Sequence, residues 1–279
     1  MKPAHEKYIP FVPLKMTRRA WPDRELKAPP VWCSVDLRDG NQALIDPMNV
    51  REKLELFHTL VEIEVGFPSA SETEYEFIRT LIEGGHIPDD VTIQVLVQAR
   101  EHLIRRTFEA IDGAKHVIFH FYNSTSTLQR KVVFHTDVEG VKKIAVDAAR
   151  LIRELSQPAL DAGMDLRYEY SPESFMGTEM DAAVEICQAV IEAIGATPEH
   201  KVILNLPTTV ENCMPTTSLT KLSTLSPGCP AGTAPLSPCT PTTTGARAWL
   251  PLNWACWPGP SGWRPPCSAT ASAPATWTW

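Results

Sequence analysis

Two periodicities alternate along this chain. Short runs rich in Val and Ile read as strands: Glu64 to Phe67, Thr92 to Val97, His116 to Phe121, Asp165 to Tyr170 and Lys201 to Leu206. Between them, apolar residues recur at helical spacing: Glu101 to Ile111, Val138 to Leu155 and Glu179 to Ile194. A further helix follows Ser71, whose spacing to Glu74 predicts a capping box, and it stops at Gly84-Gly85. The first helix is predicted to open at Asp46-Pro47, with Leu54, Phe57, Leu60 and Val61 on its apolar face. One more apolar run, Trp32 to Leu37, precedes it as the first strand. Strands alternating with helices at this spacing predict a parallel sheet in an α/β fold.

Polar residues gather where these strands end. Arg38-Asp39-Gly40-Asn41-Gln42 ends the first, Tyr122-Asn123-Ser124-Thr125 the fourth, Ser171-Pro172-Glu173-Ser174 the fifth and Thr208-Thr209 the sixth. Barrel enzymes carry their chemistry at the C-terminal ends of strands. The expected fold is therefore a (β/α)8 barrel with about six of its eight units, over residues 31–214. Residues 1–30, with several prolines, read as an extended arm. A doubly wound nucleotide-binding sheet is disfavoured, because no Gly-x-Gly-x-x-Gly follows a strand and there is no P-loop. Asp39 is a carboxylate suited to a divalent metal, and Arg38 a guanidinium suited to an oxyanion. Taken alone, the pair is equally a structural ion pair. One join is unusual. Helix passes to strand through Glu62-Ile63-Glu64 without the Gly or Asn such a turn ordinarily uses, so strain is expected there.

Composition divides the chain. Of 279 residues, 43% are hydrophobic and the formal net charge is −7, which gives no reason to expect nucleic-acid binding. No apolar run is long enough for a bilayer, so a cytoplasmic protein is expected. Cys33, Cys187 and Cys213 stand alone, with Cys33 and Cys187 read as buried small apolar residues. From Pro215 to Trp279, however, there is no Asp, Glu, His, Val, Ile, Phe, Tyr or Met. That segment holds six of the eight Trp, which is foreign to a Pro/Thr linker. Pro, Ala, Thr, Trp and Cys are what a GC-rich gene yields out of frame. A shifted reading permits His-Pro-His-Asn-Asp-Arg over 239–245 and a Gly-Asn-Gly run over 268–278. The expectation is a frameshift near Pro215 to Thr217 and an aberrant, disordered tail.

The strand-end segments together carry a specific resemblance. Trp32-Cys33-Ser34-Val35-Asp36-Leu37-Arg38-Asp39-Gly40-Asn41-Gln42, Val65-Gly66-Phe67-Pro68-Ser69-Ala70-Ser71, His120-Phe121-Tyr122-Asn123-Ser124-Thr125, Tyr170-Ser171-Pro172-Glu173-Ser174 and Leu206-Pro207-Thr208-Thr209-Val210-Glu211 resemble the 2-isopropylmalate synthase family. The resemblance covers about residues 5 to 214. It implies a barrel that condenses acetyl-CoA with 2-oxoisovalerate at a divalent metal (Mg, Mn or Zn), opening leucine biosynthesis, in a homodimer.

It also implies roles by residue. Asp39 would ligate the metal, Arg38 would clamp the developing alkoxide or carboxylate, and His120, Ser171, Glu173 and Thr209, with Gln42, would line the keto-acid pocket. Glu173 would serve as acid or base. Apart from the resemblance, Glu169 on the same strand reads as a barrel-wall partner. The family's two metal-binding His, from a His-x-His after the seventh strand, are absent beyond His200. About five residues of the family's turn are absent at Glu62 to Glu64. The family's leucine-sensing domain is expected to be missing as well, so feedback control is not expected. This chain is thus expected to be inactive or nearly so. Homocitrate synthase, citramalate synthase and lyases of the same fold remain alternatives, as does a non-catalytic chain that docks on an intact copy. Sequencing the gene tests the frameshift: every codon after that of Pro215 is expected to accommodate the shifted reading, and one incompatible run removes it.

Overall fold

The computed structural model describes residues 32–59, 63–197, 200–207, 209 and 269–270. The elements begin with β1 (Trp32–Cys33), α1 (Val50–Phe57), β2 (Ile63–Gly66), α2 (Glu72–Glu83), β3 (Ile93–Gln98) and α3 (Glu101–Ile111). They continue with β4 (His116–Ser124), α4 (Thr127–Gln129), α5 (Val138–Asp161), β5 (Asp165–Glu173), α6 (Met180–Ile194), β6 (Val202–Leu204) and β7 (Ala269–Thr270). Five strands form one parallel sheet in the order β2-β3-β4-β5-β6. The Glu64 N–H donates to the Ser34 carbonyl at 2.7 Å, so the chain after β1 lies against β2. On its other side β1 pairs in parallel with β7, where the last strand of a closed barrel would lie. This is the α/β barrel architecture that the alternation predicts, in incomplete form.

Side-chain alternation divides the sheet into two faces. Val65, Ile93, Val95, Val97, Val117, Phe119, Phe121, Tyr170, Val202 and Leu204 are fully buried and belong to one core with the helices. Phe77, Ile78 and Leu81 from α2, Ile104 and Ile111 from α3, Val141, Ala145 and Ile152 from α5 and Ile186 and Val190 from α6 complete it. Phe108 of α3 stacks on Phe119 at 4.5 Å between centroids. The opposite face carries Glu64, Gln94, His120, Glu169, Ser171 and Asn205, all buried and all polar. Among the described residues no helix is long and apolar enough to cross a membrane.

Several boundaries differ from the periodicity. The first strand stops at Cys33, and Asp36–Gly40 winds into a π-helical turn. Ser34 Oγ donates to Asp36 Oδ2 at 2.5 Å, and Gly40 N–H reaches back to the Val35 carbonyl at 3.2 Å. These local bonds compete with the strand ladder and take the chain out of it. Arg38 and Asp39 therefore stand on a turn beyond a strand.

The first helix is capped by Asn49, not by Asp46. Asn49 Oδ1 accepts from Glu52 N–H at 3.1 Å, and Glu52 Oε2 accepts from Asn49 N–H at 3.0 Å, a complete capping box. At α2 the expected box is half made. Ser71 Oγ accepts from Glu74 N–H, but the Glu74 carboxylate turns away to pair with Lys53. The strands β4 and β5 run further than expected, in register from His116↔Asp165 to Ser124↔Glu173. Pairing thus carries Tyr122, Ser124, Ser171 and Glu173 on strands rather than loops. α5 continues through Pro158 to Asp161. The helix loses one internal bond there, while Ser156 beside it donates to the Arg153 carbonyl and pairs with the Tyr168 hydroxyl at 2.6 Å. The join at 60–62 and, apart from Ala269 and Thr270, the tail from Pro215 lie outside the described residues, as does the arm at 1–30.

Lys53 of α1 is fully buried, with its ammonium on Glu74 and 5.2 Å from the centroid of the Phe77 ring. A buried cation stripped of its counter-ion is strongly destabilising, whereas exchange of both charges for apolar groups is nearly neutral. Glu74→Ala is expected to cost about 3–5 kcal/mol in urea unfolding. The double variant Lys53→Met with Glu74→Leu is expected to recover most of that loss.

Candidate active site

Arg38, Asp39, Gln42, His120, Ser171, Glu173 and Thr209 line one cavity of about 550 Å³. All seven residues singled out from the sequence thus meet in one place, at the C-terminal ends of β4, β5 and β6 and on the turn after β1. Asn41, Glu74, Leu96, Tyr122 and Asn205 also line it. Asn41 is placed by its own chemistry: its Oδ1 accepts from Met48 N–H at 2.7 Å and pins the loop before α1.

The floor is a buried polar layer. His120 Nε2 lies 2.6 Å from Ser171 Oγ, and Asn205 Nδ2 donates to the same oxygen at 2.9 Å. His120 Nδ1 lies 3.1 Å from Gln94 Nε2. Two carboxylates flank that nitrogen, Glu169 Oε1 at 3.5 Å and Glu64 Oε1 at 3.7 Å. Strand register explains the meeting: Glu64 pairs with Gln94 across β2 and β3, and His120 with Glu169 across β4 and β5. Glu169 therefore stands beside His120. Arg38 closes the layer from the turn. One of its amino groups binds Glu64 Oε2 at 2.9 Å and the other binds Asp39.

These contacts set the carboxyl groups apart. Burial pushes Glu64 up, but the Arg38 guanidinium and then His120 outweigh it, and its carboxyl sits below the usual range. Burial raises Glu169, against the pull of His120 and with the charge of Glu64 adding to the rise. Burial also raises the half-buried Glu173, with the Ser124 hydroxyl pulling the other way. That is the direction useful to a general acid or base near neutral pH. Tyr122 is raised by burial and then by Glu173. Glu173 is aimed by an unusual backbone: Ser174 adopts φ 58°, and its N–H donates to Thr209 Oγ1 at 3.2 Å. Left-handed backbone at a non-glycine residue costs energy and needs such support.

A divalent metal does not fit these residues. Asp39 is the one side chain assigned to it, and its carboxylate is already held by Arg38. Among the described residues, no group of three or more His, Cys, Asp or Glu side chains is arranged to hold a metal ion. Cys33 and Cys187 are buried, as expected. Glu64, Gln94 and Asn205 are the site residues that sequence reasoning missed. Their signal was a polar residue on the inward phase of strands made largely of Val, Ile and Leu.

The two buried glutamates have opposite pH signatures. Ionised Glu64 contributes stability above pH 4.5, and that contribution is lost as pH falls through its lowered folded value. Glu169 is the reverse: its penalty is absent well below pH 4.5 and grows as pH rises toward its raised folded value. Glu64→Gln is expected to destabilise at pH 7 and to cost less below pH 4.5. Glu169→Gln is expected to be stabilising at pH 7 and near neutral at pH 4. Thermal melts of both variants across that range check the signs.

Comparison with known proteins agrees with this architecture. Residues 29–240 match the HMGL-like family model, past the limit at Met214 that the motifs mark. A 2-isopropylmalate synthase of Rhizobium johnstonii is 55% identical over 220 residues, covering 77% of this chain and 39% of that protein. One from Corynebacterium glutamicum is 57% identical over 218 residues, covering 75% and 35%. The chain thus spans well under half the length of these relatives. The carboxyl transferase domain of Rhizobium etli pyruvate carboxylase, solved with 3-bromopyruvate, superimposes with a TM-score of 0.51 at 12% identity, covering 81% of this chain and 37% of that one, and shares the fold. With its parallel α/β barrel sheet and its polar strand ends, the chain belongs to the HMGL-like family and is similar to the 2-isopropylmalate synthases within it.

Proposed function

We propose that this chain carries the keto-acid pocket of a 2-isopropylmalate synthase and binds 2-oxoisovalerate without completing the reaction. The observation that carries the reading is the convergence of Arg38, Asp39, Gln42, His120, Ser171, Glu173 and Thr209 on one cavity. The chemistry of the set suits a 2-oxo acid. Arg38 can pair with a carboxylate or oxyanion. His120 and Ser171 can hold the ketone oxygen. Glu173, raised by burial, can take or give a proton at the acetyl group of acetyl-CoA, the co-substrate of the condensation.

The same residues argue against turnover by this chain alone. Asp39 is committed to Arg38, and no set of metal ligands surrounds it among the described residues. Divalent metal is therefore expected to bind weakly at most. Expected for the purified chain is no CoA release from acetyl-CoA with 2-oxoisovalerate, with or without Mg, Mn or Zn ions. Calorimetric titration with 2-oxoisovalerate is expected to show binding, weakened about tenfold or more by Arg38→Gln. Robust CoA release would overturn the incomplete-site reading. Absence of keto-acid binding would overturn the assignment of the pocket.

A further inference from the structure

Three carboxylates and an imidazole form one run of contacts at the floor of the cavity, and a fixed cation stands among them. Arg38 holds Asp39 with one amino group and Glu64 Oε2, at 2.9 Å, with the other. Beyond Glu64 lies His120 Nδ1, 3.7 Å from Glu64 Oε1 and 3.5 Å from Glu169 Oε1. Carboxylate oxygens and imidazole nitrogens are the donors that divalent cations take. Glu64 is 1% exposed, yet its Oε1 has no hydrogen-bond partner among the described residues. The 3.7 Å to His120 is beyond hydrogen-bond reach. A planar guanidinium thus satisfies one oxygen of this buried carboxylate and leaves the other short. The Arg38 Nε is likewise buried without a hydrogen-bond partner among the described residues. An ion that coordinates in several directions would serve both oxygens, but the guanidinium bars its approach. The charge of Arg38 is permanent, and poor screening at this depth makes repulsion between adjacent cations large.

We infer that Arg38 is a built-in counter-ion standing where a divalent cation would stand between Asp39 and Glu64, so that the unaltered chain excludes metal and loss of Arg38 uncovers a cation site on Asp39, Glu64 and the adjoining His120 and Glu169. The fixed fork of a guanidinium suits two carboxylates that arrive from different elements, one on the turn after β1 and one on β2. Its single charge serves those two and leaves Glu169 with a raised carboxyl. A divalent ion would carry the second charge. The exclusion holds whichever organic ligand the cavity accepts.

Manganese(II) ion is the probe, followed by the electron paramagnetic resonance of the free ion and by thermal melts. The unaltered chain is expected to melt at the same temperature with manganese as with EDTA. Arg38→Met is expected to melt lower in EDTA, because two carboxylates lose their counter-ion. It is also expected to bind manganese at least about tenfold more tightly than the unaltered chain, with a matching rise in melting temperature. Arg38→Lys keeps the charge and is expected to gain little. Adding Glu64→Gln to Arg38→Met removes a ligand and is expected to abolish the gain, which separates this cluster from adventitious binding to the acidic surface. An Arg38→Met chain that folds but binds manganese no better than the unaltered chain would overturn the inference. So would one that fails to fold and is not rescued by manganese, since the ion should replace the lost charge. A melting temperature of the unaltered chain that rises with manganese would overturn the exclusion. None of these readouts uses 2-oxoisovalerate, so failure of the keto-acid reading would leave them standing.

Discussion

The ion pair of Arg38 with Glu64 is the constraint around which this site is organised. Glu64 is 1% exposed, and an ionised carboxylate at that depth is sustainable only with a close, geometrically good partner. Arg38 supplies it at 2.9 Å from a turn, not from the sheet. The turn is therefore tied to β2 by charge as well as by the Ser34 to Glu64 backbone bond. The same guanidinium holds Asp39, so one cation positions both the buried Glu64 and the cavity-lining Asp39.

The polar layer follows from that anchor. A barrel interior ordinarily packs branched apolar side chains. Here the inward phase of β2 to β6 carries Glu64, Gln94, His120, Glu169, Ser171 and Asn205 instead. In a low-dielectric floor each of these groups needs a partner, and the strands supply them in register. The helices pack on the opposite, apolar face, so the core holds the sheet and the polar layer shapes the cavity. Glu64 and Glu169, close to the same histidine, are driven to opposite protonation tendencies by the difference between having a guanidinium partner and lacking one.

Much of this was legible in the residues. Alternation of Val/Ile runs with amphipathic stretches gave the parallel α/β arrangement, because sheet and helix periods differ and each must bury its own stripe. All seven candidate residues lie on the cavity, because strand ends in such a fold converge on one side. What local pattern missed was competition. Ser34 and Asp36 bond locally and end the first strand early. Asn49 outcompetes Asp46 as a cap because Glu52 reciprocates. Glu74 leaves its capping role because a buried ammonium exerts a stronger claim. β4 and β5 outrun their apolar runs because each supplies the other with ladder partners as far as Ser124 and Glu173.

By itself the sequence determined the fold class, the family likeness and the set of strand-end residues, since these depend on periodicity and on motifs carried within single segments. It also determined that the segment from Pro215 onward holds no histidine or carboxylate. Only the tertiary structure decided what those residues face. Glu64, Gln94, His120 and Glu169 come from four different strands, separated by as many as 105 positions along the chain. Their meeting is fixed by strand register, a long-range property that no local pattern encodes. The partners and the opposed protonation of the two glutamates both follow from that register.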